Sequence, residues 1–78
     1  MITIRYFGMI AEKLKKQEEK LDFSEVQLPV ALNRFFKDKY PSLENTSFVT
    51  AVNHTISNEL NSLENIEEIV LLPPFAGG

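Results

Sequence analysis

EEIVLLPPFAGG, residues 67–78, changes character midway. Ile69 to Leu72 is apolar on both faces, the pattern of a strand lying inside a sheet rather than at its rim. Pro73 and Pro74 cannot extend a ladder, because neither has an N–H to donate. They stiffen the chain towards an extended, polyproline-like path. Gly77 and Gly78 carry no side chain and adopt dihedrals closed to other residues. The segment therefore reads as a last, central strand that closes a body of residues 1–72 and opens a flexible tail of residues 73–78.

A central last strand needs a partner, and the N-terminal segment supplies one. Ile2, Ile4 and Tyr6 alternate with Thr3, Arg5 and Phe7, the period of a strand, and Gly8 ends it. Residues 9–17 allow only a short helix, with Met9, Ile10, Lys13 and Leu14 at helical spacing. Glu18 to Phe23 reads as the second strand, and the mixed charges from Glu12 to Lys20 read as a solvated face. Pro29 suits the first turn of a helix running through VALNRFFKDKY, with Leu28 as a poor N-cap. Leu32, Phe35, Phe36 and Tyr40 form its apolar stripe, and one of the adjacent phenylalanines is expected in the core. Lys37 and Lys39 favour its C-terminal end, and Pro41 stops it by restricting Tyr40. Residues 48–53 form a third strand, Asn53-His54 a tight turn, and Thr55-Ile56-Ser57 a short return strand. Residues 58–61 read as irregular.

Strand, strand, helix and three further strands, with the last pairing parallel to the first, describe an α+β layer pair. This is the β-grasp, or ubiquitin-like, arrangement: a mixed sheet crossed by one main helix. In it Ile2, Ile4, Tyr6, Ile69 and Leu71 face the helix, while Phe7, Val70 and Leu72 fall on the opposite face. A sheet face open to water is normally polar. Three large apolar groups there point to a protein partner.

Composition narrows the possibilities. The 78 residues suffice for one domain, and so small a domain buries only about 60–65% of its unfolded surface. A formal charge of −3 leaves no basic footprint for nucleic acid and no reason to expect a membrane surface. The chain has no cysteine, which excludes disulfides, a thiolate zinc site and side-chain thiol chemistry. The start lacks the pattern of a signal peptide, and no apolar run is long enough to span a bilayer, so a cytoplasmic location is expected. His54, the only histidine, reads as a surface group in a turn without companions for a metal. Glu64, Glu67 and Glu68 read as a solvated turn. There is no glycine-rich phosphate loop, so any ATP chemistry belongs to a partner.

The tail is where chemistry remains. Six residues from Pro73 to Gly78 reach roughly 20 Å. Phe75 is an apolar anchor, and the paired glycines fit a channel too narrow for a Cβ. The group so delivered is the terminal carboxylate of Gly78. A carboxylate is a poor electrophile, but adenylation makes it a mixed anhydride that a sulfur nucleophile converts to a thiocarboxylate. The bland reading of a Gly-Gly end is a frayed terminus. Its place directly after the last strand and Pro-Pro-Phe favours the carrier reading.

RYFGMIAEKL, FFKDKYPSL, FVTAVNHTI and EEIVLLPPFAGG together span essentially the whole chain, and in them it resembles the small, sulfur-carrier subunits of molybdopterin synthase. The Pro-Pro-x-x-Gly-Gly ending is the most specific of these matches. It separates them from ubiquitin, with its arginine-rich tail, and from the thiamine sulfur carrier, which usually lacks the prolines. The resemblance implies a cycle. An adenylating enzyme of the ubiquitin-activating type uses ATP to activate Gly78, and a sulfur donor yields the thiocarboxylate. The tail then enters the active site of the large synthase subunit, where sulfur passes to cyclic pyranopterin monophosphate. The chain itself would be non-catalytic and would bind no cofactor. Gly77 and Phe75 would lie in the insertion channel, and Phe7 with the outer sheet face would contact the large subunit.

Three positions depart from the family pattern: Gly8, often Ala; Leu28, often Thr or Ser; and Ile66, often Gly or Asn. They are expected to weaken local turns and caps without touching the tail. A sulfur carrier for thiamine or tRNA thiolation, and a ubiquitin-like modifier or interaction module that carries no sulfur, are the alternatives.

Overall fold

The computed structural model describes residues 1–74. In chain order the elements are β1 (Ile2–Tyr6), α1 (Gly8–Leu14), β2 (Glu18–Leu21), β3 (Val30–Ala31), α2 (Leu32–Lys39), a 3-10 turn (Pro41–Leu43), β4 (Val49–Val52), β5 (Thr55–Ile56), β6 (Glu59–Leu60) and β7 (Glu68–Leu72). Five strands form one sheet in the order β2-β1-β7-β4-β5, and β3 and β6 form a separate two-stranded ribbon. β1 and β7 run parallel, with Ile4 opposite Ile69 and Tyr6 opposite Leu71. The other pairings are antiparallel. This is the mixed, helix-crossed sheet of the β-grasp, with the last strand at its centre.

The strand alternation decides the core. Ile2, Ile4 and Tyr6 from β1 and Ile69 and Leu71 from β7 are all buried, together with Leu32 and Phe36 of α2. The Tyr6 ring meets Phe36 edge-on, with centroids 6.3 Å apart. Phe35 lies at the core edge, stacked on Phe23 at 4.9 Å. Ile10 of α1 and Leu43 of the 3-10 turn complete the core and are fully enclosed.

The start of α2 differs from the sequence expectation. Pro29 lies outside the helix, joined to Leu28 by a cis peptide bond. Val30 and Ala31 pair instead with Leu60 and Glu59, so the N-cap is Ala31, which offers no side-chain bond. Its role is filled from a distance by Asn58. The Leu32 N–H donates to the Asn58 carbonyl at 2.6 Å, and the Asn33 N–H donates to Asn58 Oδ1 at 2.8 Å. A helix terminus left without such partners would strand its first donors. Residues 58–61 are therefore not irregular: they carry this cap and the strand β6, and Leu60 is buried in the core. Similarly, β2 stops at Leu21, short of Phe23, which leaves the ladder and is buried against Phe35.

The β4–β5 turn is as expected. Asn53 and His54 both have positive φ, 47° and 73°, as a two-residue hairpin turn requires. Asn53 Oδ1 also accepts from the Glu67 and Glu68 N–H groups at 2.9 and 3.1 Å, tying the turn to the entry of β7. Before β7 the left-handed position is Asn65, with φ 62°, and Ile66 is half-buried against the core. The departure at Ile66 thus costs the turn nothing.

The charge run is only partly a solvated face. Glu19 accepts hydrogen bonds from the Tyr6 and Tyr40 hydroxyls, and Lys16 Nζ donates to Glu19 Oε1 at 3.3 Å and to the Tyr40 hydroxyl at 3.1 Å. Burial alone would raise the Glu19 carboxyl. The bonds from Tyr40, Tyr6 and Lys16 outweigh it and hold the group below the ordinary carboxylate range. Burial, reinforced by Glu19, pushes the Tyr6 phenol far above its ordinary range, so it remains the donor.

Two outcomes follow for stability. Phe36→Ala removes a fully enclosed ring, and a loss of about 3–5 kcal/mol is expected from lost burial plus a cavity. In a domain of this size that lowers the melting temperature by more than roughly ten degrees. A melt within two degrees or so of wild type would show that α2 does not present Phe36 to the core. Glu19→Gln tests the network. A carboxyl lowered by folding contributes stability above its ordinary range and loses it as pH falls through the lowered value. The variant should melt below wild type at pH 7, and the gap should close towards pH 3. A gap that persists at pH 3 would mean that the charge of Glu19 does not matter.

Candidate functional site: the outer sheet face and the exit of the last strand

The sheet face away from α2 is built from β1, β7, β4 and β5. Val70 lies beside Arg5 on one side and Ala51 on the other, and Leu72 lies beside Val49. Ala51 in turn faces Ile56 of β5. Phe7 continues β1 by one step, its N–H donating to the Leu71 carbonyl at 3.1 Å. Phe7 and Leu72 therefore share the end of the sheet where the chain leaves β7. The other end is polar: Arg5 Nε lies 2.9 Å from Glu68 Oε2 and 3.8 Å from Glu18 Oε1.

The expected patch is present, but its exposure is distributed differently. Phe7 is 45% exposed and Leu72 is half-buried, whereas Val70 is only 9% exposed. Val70 is covered by its own sheet neighbours and acts as the floor of the patch rather than a wet anchor. The second wet group is one that the sequence reading passed over: Ile56, 59% exposed. Its signal was available, since the Asn53-His54 turn places Ile56 directly opposite Ala51. With Phe7, Ile56 brackets a shallow depression floored by Val70 and rimmed by His54 and Arg5.

Phe75, Gly77 and Gly78 lie outside the described residues. What the described residues establish is where their segment begins: the chain passes from the central strand to a half-buried Pro73 and an exposed Pro74 beside the Phe7 end of the patch. Among the described residues, no three His, Asp or Glu side chains gather in a way that suits a metal ion, and no helix is long and apolar enough to cross a membrane.

A small mixed sheet crossed by one main helix, with an apolar patch on its outer face, defines the class of ubiquitin-like β-grasp domains. Residues 4–78 match the ThiS family, and the chain belongs to that family. The membership brings with it a sulfur-carrier role, in which the small protein is itself non-catalytic and works with partner enzymes.

The outer position of Phe7 predicts that Phe7→Asp leaves the fold standing. Phe7 is the N-cap residue of α1 and makes no side-chain bond there, a position that favours aspartate. The melting temperature should stay within about three degrees of wild type, as is usual for surface substitutions. A collapsed melt would show Phe7 to be part of the core.

Proposed function

We propose that the chain is the sulfur-carrier subunit of a molybdopterin synthase, with residues 1–72 as the docking body and residues 73–78 as the sulfur-carrying tail. The observation that carries this reading is the meeting of two features at one place. The exposed Phe7 side chain and Leu72 stand where the central strand hands the chain to Pro73. A partner that covers this end of the sheet receives the tail at the same time, so tail entry becomes an intramolecular event at high effective concentration. The Pro-Pro-x-x-Gly-Gly ending favours the molybdopterin pathway over the thiamine pathway.

The steps balance without any side chain of this protein acting as acid, base or nucleophile. The Gly78 carboxylate attacks the α-phosphorus of ATP on an adenylating partner, and pyrophosphate leaves. A sulfide-level nucleophile, hydrosulfide, adds to the acyl carbon of the adenylate, AMP leaves, and loss of the S–H proton gives the thiocarboxylate. On the large synthase subunit the thiocarboxylate sulfur forms a C–S bond to the side chain of cyclic pyranopterin monophosphate and displaces an oxygen substituent there. Water then hydrolyses the resulting thioester, leaving the sulfur on the pterin and restoring the Gly78 carboxylate. Gly77 keeps the approach narrow, and Phe75 provides an apolar grip in the insertion channel. ATP and the pterin are held by the partners.

The test is mass spectrometry after incubation with the cognate adenylating enzyme, ATP and a sulfur source. The intact chain should gain the mass difference of one sulfur for one oxygen. Deleting Gly78, or adding one alanine after it, should abolish the gain and leave the melt unchanged. Normal loading of either variant would overturn the carrier reading. The loaded chain should then yield molybdopterin with the large subunit and cyclic pyranopterin monophosphate. Transfer only to a thiazole or tRNA acceptor, or isopeptide conjugation to lysines, would replace this pathway with an alternative. In calorimetric titrations, Phe7→Asp should weaken binding to the large subunit tenfold or more, because an apolar anchor is lost and a charge must be desolvated. Unchanged affinity would place the interface elsewhere.

A further inference from the structure

Contrary to the expectation that Gly8 leaves the tail untouched, it packs against Pro73, the first residue of the tail. It opens α1 with φ +59°, a left-handed conformation that glycine adopts freely and other residues do not. A Cβ built on Gly8 would lie 2.9 Å from Cγ of Pro73, closer than side-chain carbons come in folded proteins. The Pro73 ring is therefore seated directly on the glycine α-carbon. This is the first residue beyond the β7 ladder, which ends with Leu72 opposite Val49.

The two sides of this contact are not equally free to move. The backbone leading into Gly8 is pinned twice: the Phe7 N–H donates to Leu71, and the Phe7 carbonyl accepts from the Ile10 N–H at 3.2 Å. Ile10 is itself fully enclosed in the core. Pro73 has no N–H to donate and lies one residue beyond the end of the β7 ladder, so no ladder hydrogen bond of its own fixes it. An added side chain at position 8 would thus displace the proline rather than the helix.

We infer that Gly8 is a positioning residue for sulfur transfer: by leaving room for the Pro73 ring, it sets the direction in which the chain departs from the sheet. The inference rests on the carrier reading above. The outer face fixes where a partner sits, and the Gly8–Pro73 seat fixes the line along which the chain enters it. Misplacement by about an ångström is enough to cost orders of magnitude in a reaction that depends on alignment.

The test uses the full chain in three variants: Gly8→Ala, Pro73→Ala and the double substitution. Pro73→Ala is informative even if Gly8→Ala folds poorly, because it empties the seat from the other side without forcing a residue into left-handed φ. In the wild type, a nuclear Overhauser effect is expected between the Gly8 Hα protons and the Pro73 ring. In ATP-dependent loading by the cognate adenylating enzyme, each single variant should lose about tenfold in kcat. The KM for the carrier should stay within about twofold, because the outer face is intact. The double variant should fall no further than the worse single one, since both remove one contact. A merely structural role would instead lower the melting temperature of Pro73→Ala in step with activity. Absence of the Overhauser contact, wild-type kcat in Pro73→Ala, or multiplied losses in the double variant would each overturn the inference. A wild-type chain that takes up no sulfur overturns the carrier reading, and this inference with it. Loading of the wild type and variants at equal rates overturns this inference alone.

Discussion

The parallel pairing of β1 with β7 is the constraint from which the other features follow. Both strands lie inside the sheet, so each has backbone donors and acceptors that must be satisfied on two sides. Parallel neighbours cannot be joined by a tight turn. The chain between Tyr6 and Glu68 must therefore include a crossover, and α2 lies on one face of the sheet along that route, between the flanking strands β2 and β4. The register of Ile4 with Ile69 and Tyr6 with Leu71 then puts two rows of apolar side chains under Leu32 and Phe36. Because the pairing joins the two ends of the chain, the core is complete only once the last strand is in place.

The same strand serves two faces. Ile69 and Leu71 point inward and hold the body together, while Val70 and Leu72 point outward and form part of the apolar patch on the outer face. Period-two alternation lets one five-residue segment serve both the core and the apolar outer patch, and Pro73 follows it directly. The polar end of that surface, with Arg5 between Glu18 and Glu68, gives the patch a direction. Its apolar end lies by Phe7, beside the exit.

Much of this was legible in the sequence because it depends on short-range periodicity. Ile2, Ile4 and Tyr6, the stripe from Leu32 to Tyr40, and the Asn53-His54 turn announce themselves within a few residues. What was not legible depends on partners far along the chain. Pro29 looked like a first-turn proline because nothing nearby indicates that Val30 and Ala31 pair with residues 59–60. The cap of α2 comes from Asn58, whose Oδ1 accepts from the Asn33 N–H 25 residues earlier. Glu19 looked solvated within a run of charges, yet the two hydroxyls that donate to it lie 13 and 21 residues away. Leu60 was hidden because a two-residue strand has no period to detect. On the outer face, the apolar identity of Val70 was plain, but its coverage by Ala51 and Arg5 required the register.

The topology also decides how the body responds when something pulls on it. β1 begins at Ile2 and the parallel β7 ends at Leu72, so a force applied between the chain's start and Pro73 runs along the strands rather than across them. The hydrogen bonds of the ladder are then loaded in shear, all together, instead of being opened one after another from an edge. Force applied between these two points therefore meets the whole β1–β7 ladder at once, so the last strand resists being peeled out of the sheet along that direction.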